Sequence, residues 1–188
     1  MDDLEDDLPL SRPLTMQDVR LAVRTAAESY GASQFTIVGR GSLAASMPDS
    51  AEKLRSTIDI DLFPPWDESK AVTWAVADTQ IGRYSAFQEK NGFYVERVGE
   101  WTLMTQAVGW NERALHLELD GVEVLVLHPL DLAYNKLEAG REKDIAFMRE
   151  GLNCKAYDYV EVLEFIQEHA PDSDTRQMIL ENLRQAAS

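Results

Sequence analysis

Residues 56–63 read Ser-Thr-Ile-Asp-Ile-Asp-Leu-Phe, a strict alternation of polar and apolar positions. Successive side chains of a strand point to opposite faces. The run therefore predicts a half-buried β-strand, with Ile58, Ile60 and Leu62 on one face and Asp59 and Asp61 on the other. Asp is a poor strand former, so two like charges side by side in an apolar strand need compensation. Side chains at i and i+2 stand about 6.5–7 Å apart. Two carboxylates at that spacing can share a divalent cation or hold two. The same pattern also fits the plain polar face of a half-exposed strand.

Around this strand the chain alternates between helical and extended periodicity. Thr15 and Asp18 form a capping-box-like pair that opens a helix carrying Val19, Ala22, Val23, Ala26 and Ala27, stopped at Gly31. Phe35–Val38 reads as a short strand, Leu43–Met47 as a short helix stopped by Pro48, and residues 48–54 as a loop. Helices are expected at 67–78 and 84–90, and strands at 93–98 and 101–105. Asp120-Gly121 between Arg113–Leu119 and Val122–Leu127 is a strong two-residue hairpin signal. Pro129 opens a helix to Glu138 with Gly140 as its cap. Further helices follow at 141–151, 157–169 and 173–186. A stripe of Val160, Leu163, Ile166, Ile179 and Leu183 is expected to pack on the domain, with docking of a partner as the alternative. The order predicts an α+β domain, a mixed β-sheet flanked by helices with a helical C-terminal region. Three segments are expected: an acidic, disordered tail over residues 1–14, a domain over 15–152, and a helical extension over 153–188 packed on it.

Charge and cysteine content narrow the function classes. Thirty-three acids against 18 bases give a formal net charge of -15, which argues against extended DNA binding but not against a small basic site. The lone Cys154 excludes an internal disulfide or a cysteine zinc site and reads as an inert thiol. No apolar run approaches the roughly 20 residues of a membrane span, and the N-terminus is acidic where a secretory signal is basic. A soluble, cytoplasmic protein is expected. His116, His128 and His169 have no metal-ligand spacing and read as structural or surface residues. Trp66, Trp74, Trp101 and Trp110 read as core or rim aromatics, with base stacking by Trp66 or Trp110 as the alternative.

Gly39-Arg40-Gly41-Ser42 follows a strand and precedes a short helix. Glycines let backbone approach a phosphate closely, free N–H groups at a helix start attract anions, and the Ser42 hydroxyl can add a donor. A tight strand-to-helix turn with no ligand accounts for the same residues. The combination with Asp59-x-Asp61 resembles the nucleotidyltransferase fold of the DNA polymerase β superfamily. There the turn holds the triphosphate and the acidic pair holds the metals. A closer resemblance spans residue 35 to about residue 152. The stretch Arg55–Leu62, the Gly109–Arg113 segment and the stretch Asp131–Asp144 look like uncharacterised bacterial nucleotidyltransferase-like proteins, akin to the AbiEii-type toxins of toxin–antitoxin and phage-defence systems.

The resemblance implies Mg²⁺ on Asp59 and Asp61, with a two-metal site possible. It implies a nucleoside triphosphate held by Gly39, Gly41, Ser42, Arg55 and Arg141, and Lys136 and Asp144 completing the catalytic set. Lys136 can neutralise a phosphate as a flexible point charge, and Asp144 can take a proton from the attacking hydroxyl. Without the resemblance, Lys136 is a lysine near a helix C-terminus and Asp144 an acid in a helix's first turn, both suited to the dipole. Related enzymes present a third acid from a neighbouring strand, for which the candidates are Glu118 or Glu123, and Arg40 interrupts the glycine pair. Two functions follow. One is transfer of a nucleotidyl group to a hydroxyl of RNA or protein, with an antitoxin protein as a further partner. The other is a degenerate member of the fold that binds or regulates without catalysing.

Overall fold

Thr15 accepts the Asp18 N–H while the Asp18 carboxylate accepts the Thr15 N–H, a capping box that starts α1 (Met16–Tyr30). Gly31 ends α1 in the left-handed conformation. The computed structural model describes residues 12–188 apart from 66 and 100. Most of the expected acidic tail, and Trp66, therefore lie outside the described residues. Three residues assigned to that tail are part of the fold. β1 (Arg12–Pro13) pairs antiparallel with β3 (Ser56–Thr57), and Leu14 is fully buried. Arg12 donates two hydrogen bonds to Asp18, at 2.9 and 2.6 Å, tying the chain entry to α1.

The main sheet has five strands. These are β2 (Gln34–Val38), β4 (Asp59–Phe63), β5 (Tyr94–Arg97), β6 (Leu115–Leu119) and β7 (Val122–Val126), in the order β5-β4-β2-β7-β6. β2 runs antiparallel to β4 and parallel to β7, β4 parallel to β5, and β6 antiparallel to β7. The sheet is mixed, as the element order predicts. The alternating run 56–63 is not one strand. It breaks at Ile58, so that β3 belongs to the small sheet and β4 to the large one.

Ile60 and Leu62 of β4 join Phe35, Ile37, Val95, Val124 and Val126 in one core. That core is closed by α1 and by Trp74, Ala77 and Ile81 of α4 (Ala71–Ile81). α2 (Leu43–Ser46) follows the glycine turn. α3 (Glu52–Arg55) occupies the end of the expected loop 48–54 and buries Leu54. α5 (Ala86–Asn91) is capped at its start by Ser85 and at its end by Gly92.

The expected strand 101–105 is instead a helical turn, α6 (Trp101–Met104), followed by α7 (Trp110–Arg113). Its β-forming residues suggest a strand, but helical spacing turns Leu103 and Ala107 together toward a second core, leaving Trp101 and Met104 exposed. Tertiary burial overrides propensity here.

That second core holds Val38, Leu43, Leu54 and Leu127 against four helices: α8 (Pro129–Ala139), α9 (Glu142–Asn153), α10 (Tyr159–His169) and α11 (Ser173–Ala187). In the apolar stripe, Ile166, Ile179 and Leu183 are buried, but Val160 is exposed and Val162 and Phe165 take its place. His128 caps α8 by accepting the Leu130 N–H. Arg113 grips Asp131 of α8 with two hydrogen bonds, at 3.1 and 2.6 Å, and lies over the Phe165 ring of α10. Asp131 is fully buried and Arg113 is 22% exposed. Removing one partner of such a pair strands the other charge. Asp131→Ala is therefore expected to cost about 3–5 kcal/mol, read as a lower urea midpoint. A loss under about 1 kcal/mol, surface-substitution size, would show that the pair does not hold α7 to α8.

Candidate functional site

Asp59 and Asp61 share the face of β4 opposite Ile60 and Leu62. β5 lies beside β4 in parallel register, with Asp61 opposite Glu96 and Asp59 opposite Tyr94. Asp59, Asp61 and Glu96 thus offer three carboxylate oxygens that all lie within 4.8 Å of one another. Thr57 braces the cluster by donating its hydroxyl to Asp59 Oδ1. Burial raises the pKa of Asp61, and the charges of Asp59 and Glu96 raise it further, to about 8 against an opposing effect from Lys136. Three converging carboxylates are electrostatically costly alone and suit a hard divalent cation, which prefers oxygen ligands.

The glycine turn is built against this cluster. Val38, the last residue of β2, sits opposite Asp61, and the chain then turns through Gly39. Gly39 has φ 64° and ψ -168°, and a Cβ there would lie 2.0 Å from Asp61 Oδ2. A Cβ on Gly41 would lie 3.2 Å from the carbonyl oxygen of Asp59 and from Ile60 Cα. Both glycines are needed for the turn to pack this closely on the Asp-x-Asp strand.

A group of cations gathers on α8 and at the start of α9. Lys136 of α8 lies 2.9 Å from Asp144 of α9, and Arg141 donates to the other oxygen of the same carboxylate. Asp144 is 1% exposed and Lys136 17%. Lys136 and Arg40 both pack on the Phe147 ring, at 5.8 and 5.2 Å from its centroid. Lys136 lies near enough to Asp61 for its charge to oppose the rise in that carboxylate's pKa, and through Phe147 it is joined to Arg40 of the glycine turn.

The family described as a nucleotidyltransferase of unknown function (DUF6036) matches residues 16–184, nearly the whole chain. The chain belongs to this family. No curated protein matches it. Among solved structures, it is similar to an antigenic nucleotidyltransferase-like protein from Paracoccidioides brasiliensis, at 19% identity over 93% of this chain and 91% of that one, with a TM-score of 0.49. The mixed sheet flanked by helices is the nucleotidyltransferase-like architecture expected of a DUF6036 protein.

Within this nucleotidyltransferase family member, several expected residues fall elsewhere. Glu118 and Glu123 are not the third acid. They face each other across β6 and β7, with β2 separating β7 from β4, and Glu123 accepts a hydrogen bond from Gln34. Glu96 takes that place. Nothing near it in sequence marks it, because only the parallel pairing of β5 with β4 brings it to Asp61. Ser42 is fully buried and donates its hydroxyl to the Gly39 carbonyl at 2.8 Å, so it tightens the turn from inside. Arg55 donates to the carbonyls of Ser50 and Leu14, bracing the chain entry against α3.

Asp144, expected as a base, is ion-paired with Lys136 and Arg141. Burial disfavours its charge, but the hydrogen bond from Arg141 and the charge and hydrogen bond of Lys136 outweigh that and hold its pKa below the ordinary carboxylate value. A carboxylate held low and already gripped by two cations is a poor proton acceptor. Trp74 is buried in the first core, and Trp110 packs partly buried on the second. Among the described residues, no helix is long and apolar enough to cross a membrane.

Proposed function

We propose that this protein is a Mg²⁺-dependent nucleotidyltransferase that moves a nucleotidyl group from a nucleoside triphosphate to a hydroxyl of RNA or protein. The observation that carries the reading is the Asp59–Asp61–Glu96 cluster, against which Gly39 packs without room for a Cβ. Bound Mg²⁺ would neutralise the clustered acids and the phosphates and polarise the reacting phosphoryl group. Asp59, Asp61 and Glu96 would hold it. Lys136, oriented by Asp144, places a point charge for the phosphates. Glu96 is the most exposed of the three acids. The alternative, a degenerate module that binds without catalysing, drew its support from a missing third acid, and Glu96 supplies one.

The likeness of Arg55–Leu62 and Asp131–Asp144 to AbiEii-type proteins supports a toxin of a toxin–antitoxin or phage-defence module, with a cognate antitoxin as partner. The net charge of -15 disfavours a long nucleic-acid footprint and favours a short RNA end or a protein side chain as acceptor.

Thermal melting tests the ligand. With MgCl₂ and a triphosphate at about 100 times its dissociation constant, stability is expected to rise by about 2.7 kcal/mol. Asp59→Ala is expected to remove that rise. Absence of a shift with all four nucleoside triphosphates would overturn the reading. Labelled triphosphate incubated with cell extract then shows whether the label enters RNA or protein.

A further inference from the structure

Arg40 stands out among the cations of this chain. Most of the others near a core edge have a carboxylate: Arg12 has Asp18, Arg97 has Asp78, Arg113 has Asp131, and Lys136 and Arg141 share Asp144. Arg40 is half-buried beside the acid cluster, yet no carboxylate among the described residues lies within ion-pair distance of it. Its guanidinium donates one hydrogen bond, from Nη1 to the Ser56 carbonyl at 2.9 Å. A guanidinium has five N–H donors in a rigid fork, so most of that capacity is unused. The group is nonetheless packed on Phe147, with its central carbon 5.2 Å from the ring centroid.

Three contacts tie it to the acid cluster and to Lys136. Its neighbour Gly39 abuts Asp61. Its acceptor Ser56 precedes Thr57, whose hydroxyl holds Asp59. Its stacking partner Phe147 also carries the Lys136 ammonium, 5.8 Å from the same centroid. An arginine fork without a carboxylate partner, sharing a ring with a lysine and next in sequence to the glycine that abuts a metal-suited carboxylate cluster, suits a phosphate.

We propose that Arg40 binds the terminal phosphates of the triphosphate, with Lys136 as the second cation on the shared Phe147 ring, and that it stabilises pyrophosphate as it leaves. This rests on the nucleotidyl-transfer reading above. In that reaction the acceptor oxygen bonds to the α-phosphorus. The bond from the α-phosphorus to the α–β bridging oxygen breaks, its electron pair departs with pyrophosphate, and the hydroxyl proton is released to solvent. Negative charge grows on pyrophosphate as that bond breaks, and Arg40 meets it there. Phe147 acts as a positioning residue for both cations.

The test is binding of inorganic pyrophosphate, a nucleoside triphosphate and the matching monophosphate to the full chain, each with Mg²⁺, by calorimetry. Charge-assisted hydrogen bonds of this kind support a weakening of about 10- to 100-fold when removed. Arg40→Met is expected to weaken pyrophosphate and triphosphate by that factor and to leave the monophosphate within about twofold, as a terminal-phosphate contact requires. Arg40→Lys keeps the charge but loses the fork, so an intermediate loss is expected. It also serves as the informative variant if Arg40→Met does not fold. Equal binding of pyrophosphate by wild type and both variants would overturn the assignment of Arg40 alone. Equal weakening of the monophosphate would also overturn it, placing Arg40 at the α-phosphate. Wild type that binds neither pyrophosphate nor any triphosphate would overturn the nucleotidyl-transfer reading as well.

Discussion

Asp61→Asn is expected to abolish nucleotidyl transfer while making the metal-free protein more stable. Burial and the charges of Asp59 and Glu96 raise the Asp61 pKa to about 8, so the folded state resists ionising this group. The sign of the pH effect follows. The unfolded chain releases the proton near pH 4, and the folded chain keeps it until near pH 8. Between those values folding takes up a proton, so wild-type stability is fully present at low pH and falls as pH rises. Asn carries no charge at any of these pH values. In EDTA the melting temperatures of wild type and Asp61→Asn should be closest below pH 4 and diverge toward pH 8, the variant higher. Magnesium should raise the wild type and leave the variant nearly unmoved. Loss of an outer-shell partner costs about 10- to 100-fold in metal affinity or activity. Loss of a direct ligand should cost at least the upper end of that range. A variant no more stable than wild type in EDTA at pH 8 would contradict the crowded-acid reading. A variant that keeps its magnesium-dependent nucleotide shift would contradict the metal assignment.

Gly39→Ala is expected to damage the same site from the turn that abuts Asp61. Gly39 combines φ 64° with ψ -168°, a region occupied essentially by glycine alone. A side chain there costs about 1–3 kcal/mol in backbone strain. The new Cβ would also fall 2.0 Å from Asp61 Oδ2, so the carboxylate must move out of the cluster. The expected result is a destabilised protein with magnesium and triphosphate binding lost together. Gly31→Ala separates the two causes. Gly31 has φ 63° but nothing within 4 Å of its Cβ position. It should lose about 1 kcal/mol of stability and retain full nucleotide binding. If Gly39→Ala behaves like Gly31→Ala, the turn is a connector and not part of the site.

Much of the scaffold could be read one residue at a time. The capping box at Thr15, the glycine caps at Gly31, Gly92 and Gly140, and the Asp120-Gly121 hairpin are local signals with local causes, and each sits where its chemistry requires. The alternation through Ile60 and Leu62 settles which face of β4 is buried, and therefore that Asp59 and Asp61 share the other. Period-two geometry needs no knowledge of the neighbours.

What the neighbours contribute could not be read this way. Glu96 becomes the third acid because β5 pairs in parallel with β4 at a register that sets it opposite Asp61. Glu123 and Glu118, equally plausible in sequence, end two and three strands away from β4. Residues 101–105 carry strand-forming side chains, yet they coil so that Leu103 reaches a core assembled from residues far along the chain. Lys136 and Arg141 converge on Asp144, and Arg40 and Lys136 meet on Phe147, only because α8, α9 and the glycine turn pack together. Local sequence determined which residues face together along a single strand or helix, since backbone periodicity is an intrinsic property of the chain. The tertiary structure alone decided which elements meet, since strand register and helix packing depend on the burial of side chains distant in sequence.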